Sequence, residues 1–209
     1  MMKLIDWFVQ GGPLMWPILL CSIIAVAVAI ERLFTLRRAR IDTREFMATI
    51  RTVLKRGRID DAIAVCDENA GPIAHILKAG ILKHDKPRGA IREAIENAGL
   101  LEIPRLERYL NVLATVANIS PLIGLLGTVQ GMIRCFWQIQ AKMGVVNPSD
   151  LAEGIGNALI TTAGGLLVAI PTLVIYNYFL SRVNNMVHEM EISSGELLDL
   201  LTDEEGGVR

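Results

Sequence analysis

The chain has 209 residues, of which 52% are hydrophobic and 21% are charged, and its formal net charge is −1. Such an apolar composition is unusual for a soluble protein and favours the membrane class. The near-zero net charge gives no support to a nucleic-acid partner. The three cysteines, Cys21, Cys66 and Cys135, are widely separated and follow no ligand spacing. We expect them to be small buried hydrophobic residues rather than parts of a disulfide framework or a metal site.

Three runs without a charged residue predict three membrane-spanning helices. They are Trp7–Ile30, Tyr109–Ile133 and Gly154–Ser181, with 24, 25 and 28 residues. About 20 helical residues cross a hydrocarbon layer of about 30 Å, so each run is long enough to span it. The first run is followed rather than preceded by a basic cluster, and it shows no cleavage pattern of small residues. We therefore expect an uncleaved first span and not a secretory signal.

The distribution of basic residues predicts the orientation of the chain. Of the 21 Lys and Arg residues, 16 lie between Arg32 and Arg108. Lys and Arg residues near the ends of membrane spans concentrate on the cytoplasmic side. This long connection is therefore predicted to be cytoplasmic. The N-terminus is then outside, the second connection forms a short outer loop, and the C-terminus is inside.

The connection between the first and second spans is predicted to be helical. Residues 42–56 carry apolar side chains at helical spacing, after a capping-box pattern of Asp42 and Glu45 and before Gly57. Two shorter helices are expected around Asp60–Glu68 and Pro72–Lys83.

The second and third spans are predicted to belong to helices longer than the bilayer. From Pro87 the helical pattern continues toward the second span, with Pro104 as either a kink or a new start. The third span continues into an apolar stripe that we expect to pack against other helices of this chain or of neighbouring subunits. The stripe consists of Val183, Met186, Val187, Met190, Leu197, Leu198 and Leu201.

The predicted fold class is all-α: a three-span helical membrane protein with long second and third helices extending into a helical cytoplasmic domain. An outer N-terminal segment (1–13) precedes the first transmembrane helix (14–36) and the helical cytoplasmic domain (37–107). The second transmembrane helix (108–140), a short outer loop (141–152) and the third transmembrane helix (153–181) follow. The last part is a cytoplasmic C-terminal helix and tail (182–209).

The sequence contains no motif that indicates an enzyme. Nucleophile elbows, zinc-protease motifs and phosphate-binding glycine loops are all absent from it. The three histidines, His75, His84 and His188, lie outside the uncharged runs and are expected at the surface. Catalysis, a cofactor and a bound metal are therefore not expected.

Small and hydroxylic residues in the third span allow two interpretations. Close helix packing through small side chains explains them without any further function. Alternatively, Thr128, Thr162 and Asn157 line a polar path. The small and polar residues of the third span lie on two neighbouring helix faces, about 40° apart. One face carries Ala158, Thr162, Gly165 and Ala169, and the other carries Asn157, Thr161, Gly164 and Val168.

None of the three uncharged runs contains Asp, Glu, His, Lys or Arg. Machines driven by a proton gradient need a titratable group inside the membrane. If this chain takes part in proton flow, the carboxylate therefore has to come from another polypeptide.

Three sequence blocks resemble the ExbB/TolQ/MotA proton-channel subunits, most closely the ExbB/TolQ branch. GGPLMWPILLCSIIAVAVAIERL (11–33) is similar to the family's first span, and IPRLERYLNVLATVANISPLIGLLGTVQGM (103–132) is similar to its cytoplasmic approach and second span. LAEGIGNALITTAGGLLVAIPTLVIYNYF (151–179) is similar to its third span. These two blocks contain PLIGLLGTVQGM (121–132) and ALITTAGGLLVAIP (158–171). The last two blocks together are highly specific. Three spans and a modest cytoplasmic domain differ from the four-span flagellar branch.

The resemblance implies roles for individual residues. Thr128 and Thr162 match the family's pore threonines, and Thr161 and Asn157 are expected to line the proton path with them. Pro121 and Pro171 match the family's helix prolines. Asn157 stands where many ExbB-type proteins carry glutamate, and Glu153 lies one helical turn earlier. The glycines expected to shape the pore helices are Gly124, Gly127, Gly131, Gly164 and Gly165. Those expected at the cytoplasmic membrane boundary are Arg105, Glu107 and Arg108.

The resemblance also implies a function and partners. Such subunits form a ring in the bacterial inner membrane, pentameric in characterised members, around single-span ExbD/TolR-type proteins that supply an intramembrane aspartate. Proton passage energises a periplasm-spanning arm, TonB for outer-membrane transport or TolA for envelope maintenance. A TolQ-like or other motor is the alternative within this class. A non-conducting membrane scaffold is the alternative from another class, and a solute transporter acting alone is disfavoured by three spans without repeats.

Overall fold

The computed structural model describes residues 8–39, 41–69, 71–141 and 148–206. Residues 1–7 of the predicted outer segment, 142–147 of the predicted outer loop and the last three residues of the predicted tail lie outside this range, as does the side chain of Glu153. No β-strand occurs within the described ranges, so the prediction of an all-α fold is confirmed. The helices are α1 (Met15–Arg38), α2 (Thr43–Leu54), α3 (Ile59–Glu68), α4 (Pro72–Ile81), α5 (Arg88–Glu107), α6 (Leu110–Ala141) and α7 (Pro148–Gly206).

Three helical stretches, containing α1, α6 and α7, are long and apolar enough to cross a membrane. The prediction of three spans is therefore confirmed. Only 17%, 33% and 28% of the residues in their apolar segments are buried within the chain. The remaining apolar surface has to be covered by lipid or by other protein chains, because large exposed apolar areas are unfavourable in water.

The chain divides into two compact units. Unit 1 consists of Met1–Glu31 and Tyr109–Tyr178, and unit 2 of Arg32–Arg108 and Phe179–Arg209. Unit 1 thus contains the apolar parts of α1, α6 and α7. Unit 2 contains α2 to α5 together with the end of α1 and the second half of α7.

In unit 1, α6 and α7 pack with their backbones almost in contact. A Cβ atom placed on Gly124 would lie 2.9 Å from the Thr162 Cα, and one on Gly127 would lie 2.6 Å from the Thr161 Cγ2. At Gly165 it would lie 2.5 Å from the Ser120 carbonyl oxygen. Real Cβ atoms do not approach this closely, so glycine is required at these positions. The same antiparallel register brings Gly131 against Ala158 and Gly154 against Cys135.

In unit 2, α2 begins and ends where the sequence predicts. The Asp42 side chain accepts hydrogen bonds from the backbone N–H groups of Arg44 (3.1 Å) and Glu45 (3.2 Å), as an N-cap does. After the helix, Gly57 has a φ of +69° and donates to the Leu54 carbonyl at 2.7 Å. Arg58 donates to the Val53 carbonyl at 3.3 Å, which completes the paired bonds of a Schellman motif.

The second half of α7 packs against the other helices of unit 2. Val183, Met190, Leu197, Leu198 and Leu201 are buried, so this part of the predicted stripe contacts its own chain. Met186 and Val187 are half-buried. Polar contacts run beside the stripe: Arg51 pairs with Glu196, Arg88 pairs with Asp199 at 2.7 Å, and the Thr43 hydroxyl donates to Glu189 at 2.8 Å.

The helical pattern that leads to the second span is interrupted at Arg108 and Tyr109, and not at Pro104. Pro104 lies inside α5, and Tyr109 adopts a φ of +64° before α6 begins. This left-handed conformation is unfavourable for a tyrosine and ends the regular α5 hydrogen bonding. In contrast, α7 continues for 59 residues from Pro148 to Gly206, as the sequence predicts for the third span.

Two of the three cysteines, Cys66 and Cys135, are buried as predicted, whereas Cys21 is half-buried; all three are free. Burial and, to a smaller extent, the neighbouring Asp67 carboxylate raise the pKa of the Cys66 thiol to about 11, against an opposing effect of Lys78. A thiol with this pKa carries very little of the reactive thiolate at neutral pH.

Replacing Gly127 by alanine is expected to lower the stability of the folded protein by about 1–3 kcal/mol, because the new methyl group collides with Thr161. Gly156 is the matched control: it lies in α7, and a Cβ there would meet nothing within 4 Å. Gly156→Ala should be neutral or stabilising by up to about 1 kcal/mol, since alanine favours a helix over glycine. Thermal unfolding of the detergent-solubilised variants measures both effects. Equal midpoints for the two variants would contradict the close packing of α6 and α7.

Cys66 is expected to react about 100-fold more slowly with a thiol reagent at pH 8 than an ordinary cysteine of pKa 9, since its thiolate fraction is smaller by that factor. The measurement uses the full chain with Cys21→Ser and Cys135→Ser. The control adds Thr49→Cys and Cys66→Ala, which places the only thiol on an exposed position of α2. In denaturant the two proteins should react equally fast. Similar rates in the native state would show that Cys66 is accessible.

Candidate membrane-embedded polar site

A hydrogen bond between α7 and α6 holds the Thr162 side chain next to the turn of α6 that carries Thr128. The Thr162 hydroxyl donates to the Gly124 carbonyl across the two helices at 2.8 Å. Gly124 precedes Thr128 by four residues, so both lie on one face of α6. The Thr128 hydroxyl donates to the Leu125 carbonyl of its own helix at 2.7 Å. Both threonines are half-buried within the chain.

Thr161 packs its methyl group against Gly127 of α6, but its hydroxyl bonds to the segment that precedes α1. The Thr161 side chain is only 1% exposed. Its hydroxyl is 2.8 Å from the Gly11 carbonyl and 3.2 Å from the Asn157 carbonyl, and one hydrogen can serve either acceptor. Asn157 is half-buried and lines a cleft with Thr161. The four polar residues singled out by the sequence therefore form two pairs, and Thr161 is enclosed by its own chain.

The two prolines lie inside uninterrupted helices. Pro121 in α6 and Pro171 in α7 each remove one backbone donor. The residues next to them make an additional side-chain bond to the preceding turn: the Ser120 hydroxyl donates to the Val116 carbonyl at 2.8 Å, and the Thr172 hydroxyl donates to the Val168 carbonyl at 2.7 Å. Such side-chain bonds to the preceding turn bend helices, as the prolines themselves do.

Among the predicted glycines, four contribute to the α6–α7 contact and one contacts α1. Gly124, Gly127, Gly131 and Gly165 allow the two helices to approach, whereas a Cβ on Gly164 would lie 3.3 Å from the end of the Met15 side chain. Close packing within one chain thus accounts for these glycines. It also fixes the height of Thr162 against Thr128, because the register of the contact sets which turns face each other.

A family model described as the MotA/TolQ/ExbB proton channel family matches residues 68–192, which is more than half of the chain. The chain belongs to this family. The resemblance seen in the sequence blocks is thereby confirmed, and the MotA/TolQ/ExbB chain is a membrane subunit of the proton-channel type.

Relatives of this MotA/TolQ/ExbB chain carry the names ExbB and TolQ. A Synechocystis protein named ExbB-like 1, a biopolymer transport protein, is 35% identical, and the match covers 93% of this chain and 78% of that protein. The Tol-Pal system protein TolQ of Haemophilus influenzae is 38% identical over 56% of this chain and 51% of its own length. A chain of the C. jejuni MotAB structure has a TM-score of 0.62 at 17% identity, covering 92% of this chain and 77% of its own, and thus shares the fold.

In unit 2, the three residues predicted at the membrane boundary, Arg105, Glu107 and Arg108, lie at the C-terminal end of α5. Arg105 pairs with Glu102 at 2.6 Å, and the same Glu102 oxygen lies 3.2 Å from His75 Nδ1. Arg108 lies in the interruption after α5, and Glu107 is exposed on the last turn. Glu102 therefore contacts both Arg105 on its own helix and His75 on α4.

Arg32 also contacts the end of α5, and sequence analysis did not single it out. Its side chain is 2% exposed, and its Nη1 donates to the carbonyls of Arg105 (3.4 Å) and Leu106 (3.5 Å). A cation at the C-terminal end of a helix satisfies its last carbonyls and interacts favourably with the helix dipole. In the sequence, Arg32 is one of a cluster of basic residues after the first span, and nothing distinguishes it from its exposed neighbours.

Replacing Arg32 by methionine is expected to destabilise the protein by about 1–3 kcal/mol, because buried carbonyls at the end of α5 lose their donor. Arg37→Met is the matched control, since Arg37 lies on the same helix and is exposed. We expect that control to unfold within about 0.5 kcal/mol of the parent. Thermal and denaturant unfolding in detergent compare the two. A loss of stability in the control as large as in the Arg32 variant would argue against a specific cap.

Proposed function

We propose that this chain is a ring-forming subunit of an inner-membrane motor driven by the proton-motive force. In this proposal it conducts protons together with a single-span partner of the ExbD/TolR type, and the motor energises TonB-dependent outer-membrane transport. The observation that carries the proposal is the hydrogen bond from Thr162 to Gly124, which fixes one predicted pore hydroxyl beside the turn of the other, Thr128. Membership of a proton-channel family supports it.

The chemistry of the two hydroxyls fits a proton path with an external acid. Each threonine already donates its hydrogen to a backbone carbonyl, at 2.8 Å for Thr162 and 2.7 Å for Thr128. A hydroxyl oxygen can still accept hydrogen bonds, so both are suited to receive one from water or from a protonated carboxyl group. They cannot store a proton themselves at physiological pH. The absence of an ionisable residue from the uncharged runs of the sequence supports an aspartate supplied by the partner.

The predicted boundary and shaping residues have secondary roles in this proposal. Pro121 and Pro171 shape the pore helices, the glycines set their spacing, and Arg105, Glu107 and Arg108 hold the cytoplasmic boundary. Asn157 provides hydrogen bonds but no charge where many ExbB-type proteins have glutamate, and Thr161 holds the N-terminal segment. The N-terminus is periplasmic and the C-terminus cytoplasmic, and five copies surround the partner helices.

A TolQ-like motor is the second candidate. A relative named TolQ matches more than half of the chain at 38% identity, beside relatives named ExbB. Because the periplasmic part of the partner determines what the motor drives, the two outputs share the same membrane site. Co-purification with single-span proteins from the same cells, followed by mass measurement of the intact complex, distinguishes TonB-linked from Tol-linked assemblies and counts the subunits.

Replacing Thr162 by valine is expected to leave assembly nearly intact and to reduce proton-coupled function at least tenfold, since the shape is kept and the hydroxyl is lost. The matched control is Thr115→Val, which removes a hydroxyl bonded to the preceding turn of α6, away from both prolines. The measurement is proton flux into vesicles containing the complex of chain and partner, with assembly followed by native mass spectrometry. Normal flux in an assembled Thr162 variant would refute the hydroxyl pathway and favour a scaffold. Loss of assembly alone would support the packing explanation.

A further inference from the structure

Unit 1 contains a polar cleft beside the proposed pore residues. It encloses about 420 Å³, within the range of about 300–1,000 Å³ that is typical of small-ligand sites. One wall is the segment from Gln10 to Leu14, and the others are the α6 segment from Gly127 to Gln138 and the α7 segment from Gly154 to Thr161. The side chains of Gln10, Gln130, Arg134, Gln138 and Asn157 give the cleft one positive charge and several amide groups.

The position of the cleft along the helices matches the headgroup layer of a membrane. About 20 helical residues cross about 30 Å of hydrocarbon. Twenty residues after Arg108, α6 reaches Thr128, and twenty residues before Arg182, α7 is at Thr162. The hydrocarbon layer thus ends near these two threonines. Arg134 follows Thr128 by six residues, about 9 Å along the axis, and a polar layer of about 5–8 Å lies beyond each side of the hydrocarbon. Because side chains on a helix point toward its N-terminus, the long Arg134 side chain reaches back into this layer.

Two exposed tryptophans agree with this position. Trp16, at the start of α1, and Trp137, between Arg134 and Gln138 on α6, are each 66% exposed. Tryptophan concentrates at the level of the headgroups, where one part of its ring system is in contact with lipid and its N–H with water. The cleft is thus a polar cavity at the level where phospholipid phosphates lie.

We propose that this cleft binds the phosphate-bearing headgroup of an anionic phospholipid. The Arg134 guanidinium pairs with the phosphate, for which its planar donor fork is well suited, and the neighbouring amides donate to the remaining oxygens. The cleft lies toward the C-terminal end of α6, away from Tyr109. In the proposed orientation this end is in the outer leaflet. Binding here requires that α6 and α7 span the membrane, and it does not depend on proton conduction.

Binding of soluble dihexanoyl phosphatidylglycerol to the full chain in a neutral detergent tests the proposal by calorimetry. Arg134→Gln is expected to weaken binding at least tenfold, as the loss of a charge-assisted contact does. Gln138→Glu, which places a carboxylate one turn away, should also weaken it at least tenfold. Arg44→Gln removes an equal charge from an exposed position of α2 and should change the affinity less than twofold. All three variants must elute from a size-exclusion column as the parent protein does.

The outcomes separate the lipid from other sources of phosphate. Inorganic phosphate at the same concentration should neither bind nor compete, because the acyl chains anchor the lipid beside the cleft. Tight binding of inorganic phosphate that depends on Arg134 would overturn the lipid assignment in favour of a free anion. Unchanged lipid affinity in both cleft variants would overturn the site itself. If one of the two cleft variants fails to fold, the lipid affinity of the other variant tests the site.

Discussion

The close approach of α6 and α7 is the constraint on which the rest of unit 1 depends. In a bilayer the hydrophobic effect does not drive helices together, so contact has to come from fitting surfaces and from hydrogen bonds between the helices. Gly124, Gly127 and Gly165 remove the side chains that would separate the two backbones. Only because the backbones meet can the Thr162 hydroxyl reach the Gly124 carbonyl at 2.8 Å. Packing and the polar site are therefore one arrangement, and the two interpretations of these small residues are compatible.

The chemistry of the chain follows from what its spans contain and what they lack. Hydroxyl and amide groups occur there without an ionisable partner. Such groups orient water and accept hydrogen bonds, but they do not hold a proton against the gradient. A subunit of this kind provides a surface along which an acid from another chain can work. Membership of the MotA/TolQ/ExbB family is consistent with that division between two polypeptides.

The sequence predicted most helices, because their signals are local. The caps at Asp42 and Gly57 mark α2 in sequence and in structure alike. The interruption at Arg108 and Tyr109 was not predicted, since neither residue is a helix breaker by type. It depends instead on contacts made from elsewhere in the chain, including the donation from Arg32 to the last carbonyls of α5. No local pattern reveals a contact between residues more than 70 positions apart.

By itself the sequence determined the class of the protein, its three spans, its family resemblance and the absence of an internal acid, because composition and periodicity are properties of the chain alone. The tertiary structure decided which small residues touch which partners. It gave the hydroxyls of two adjacent threonines different partners: Thr161 donates to the Gly11 carbonyl before α1, and Thr162 donates to the Gly124 carbonyl of α6. The physical reason is the helical turn of about 100° between neighbours, which sends adjacent side chains to different surfaces. Only the packing of the helices determines what each surface meets.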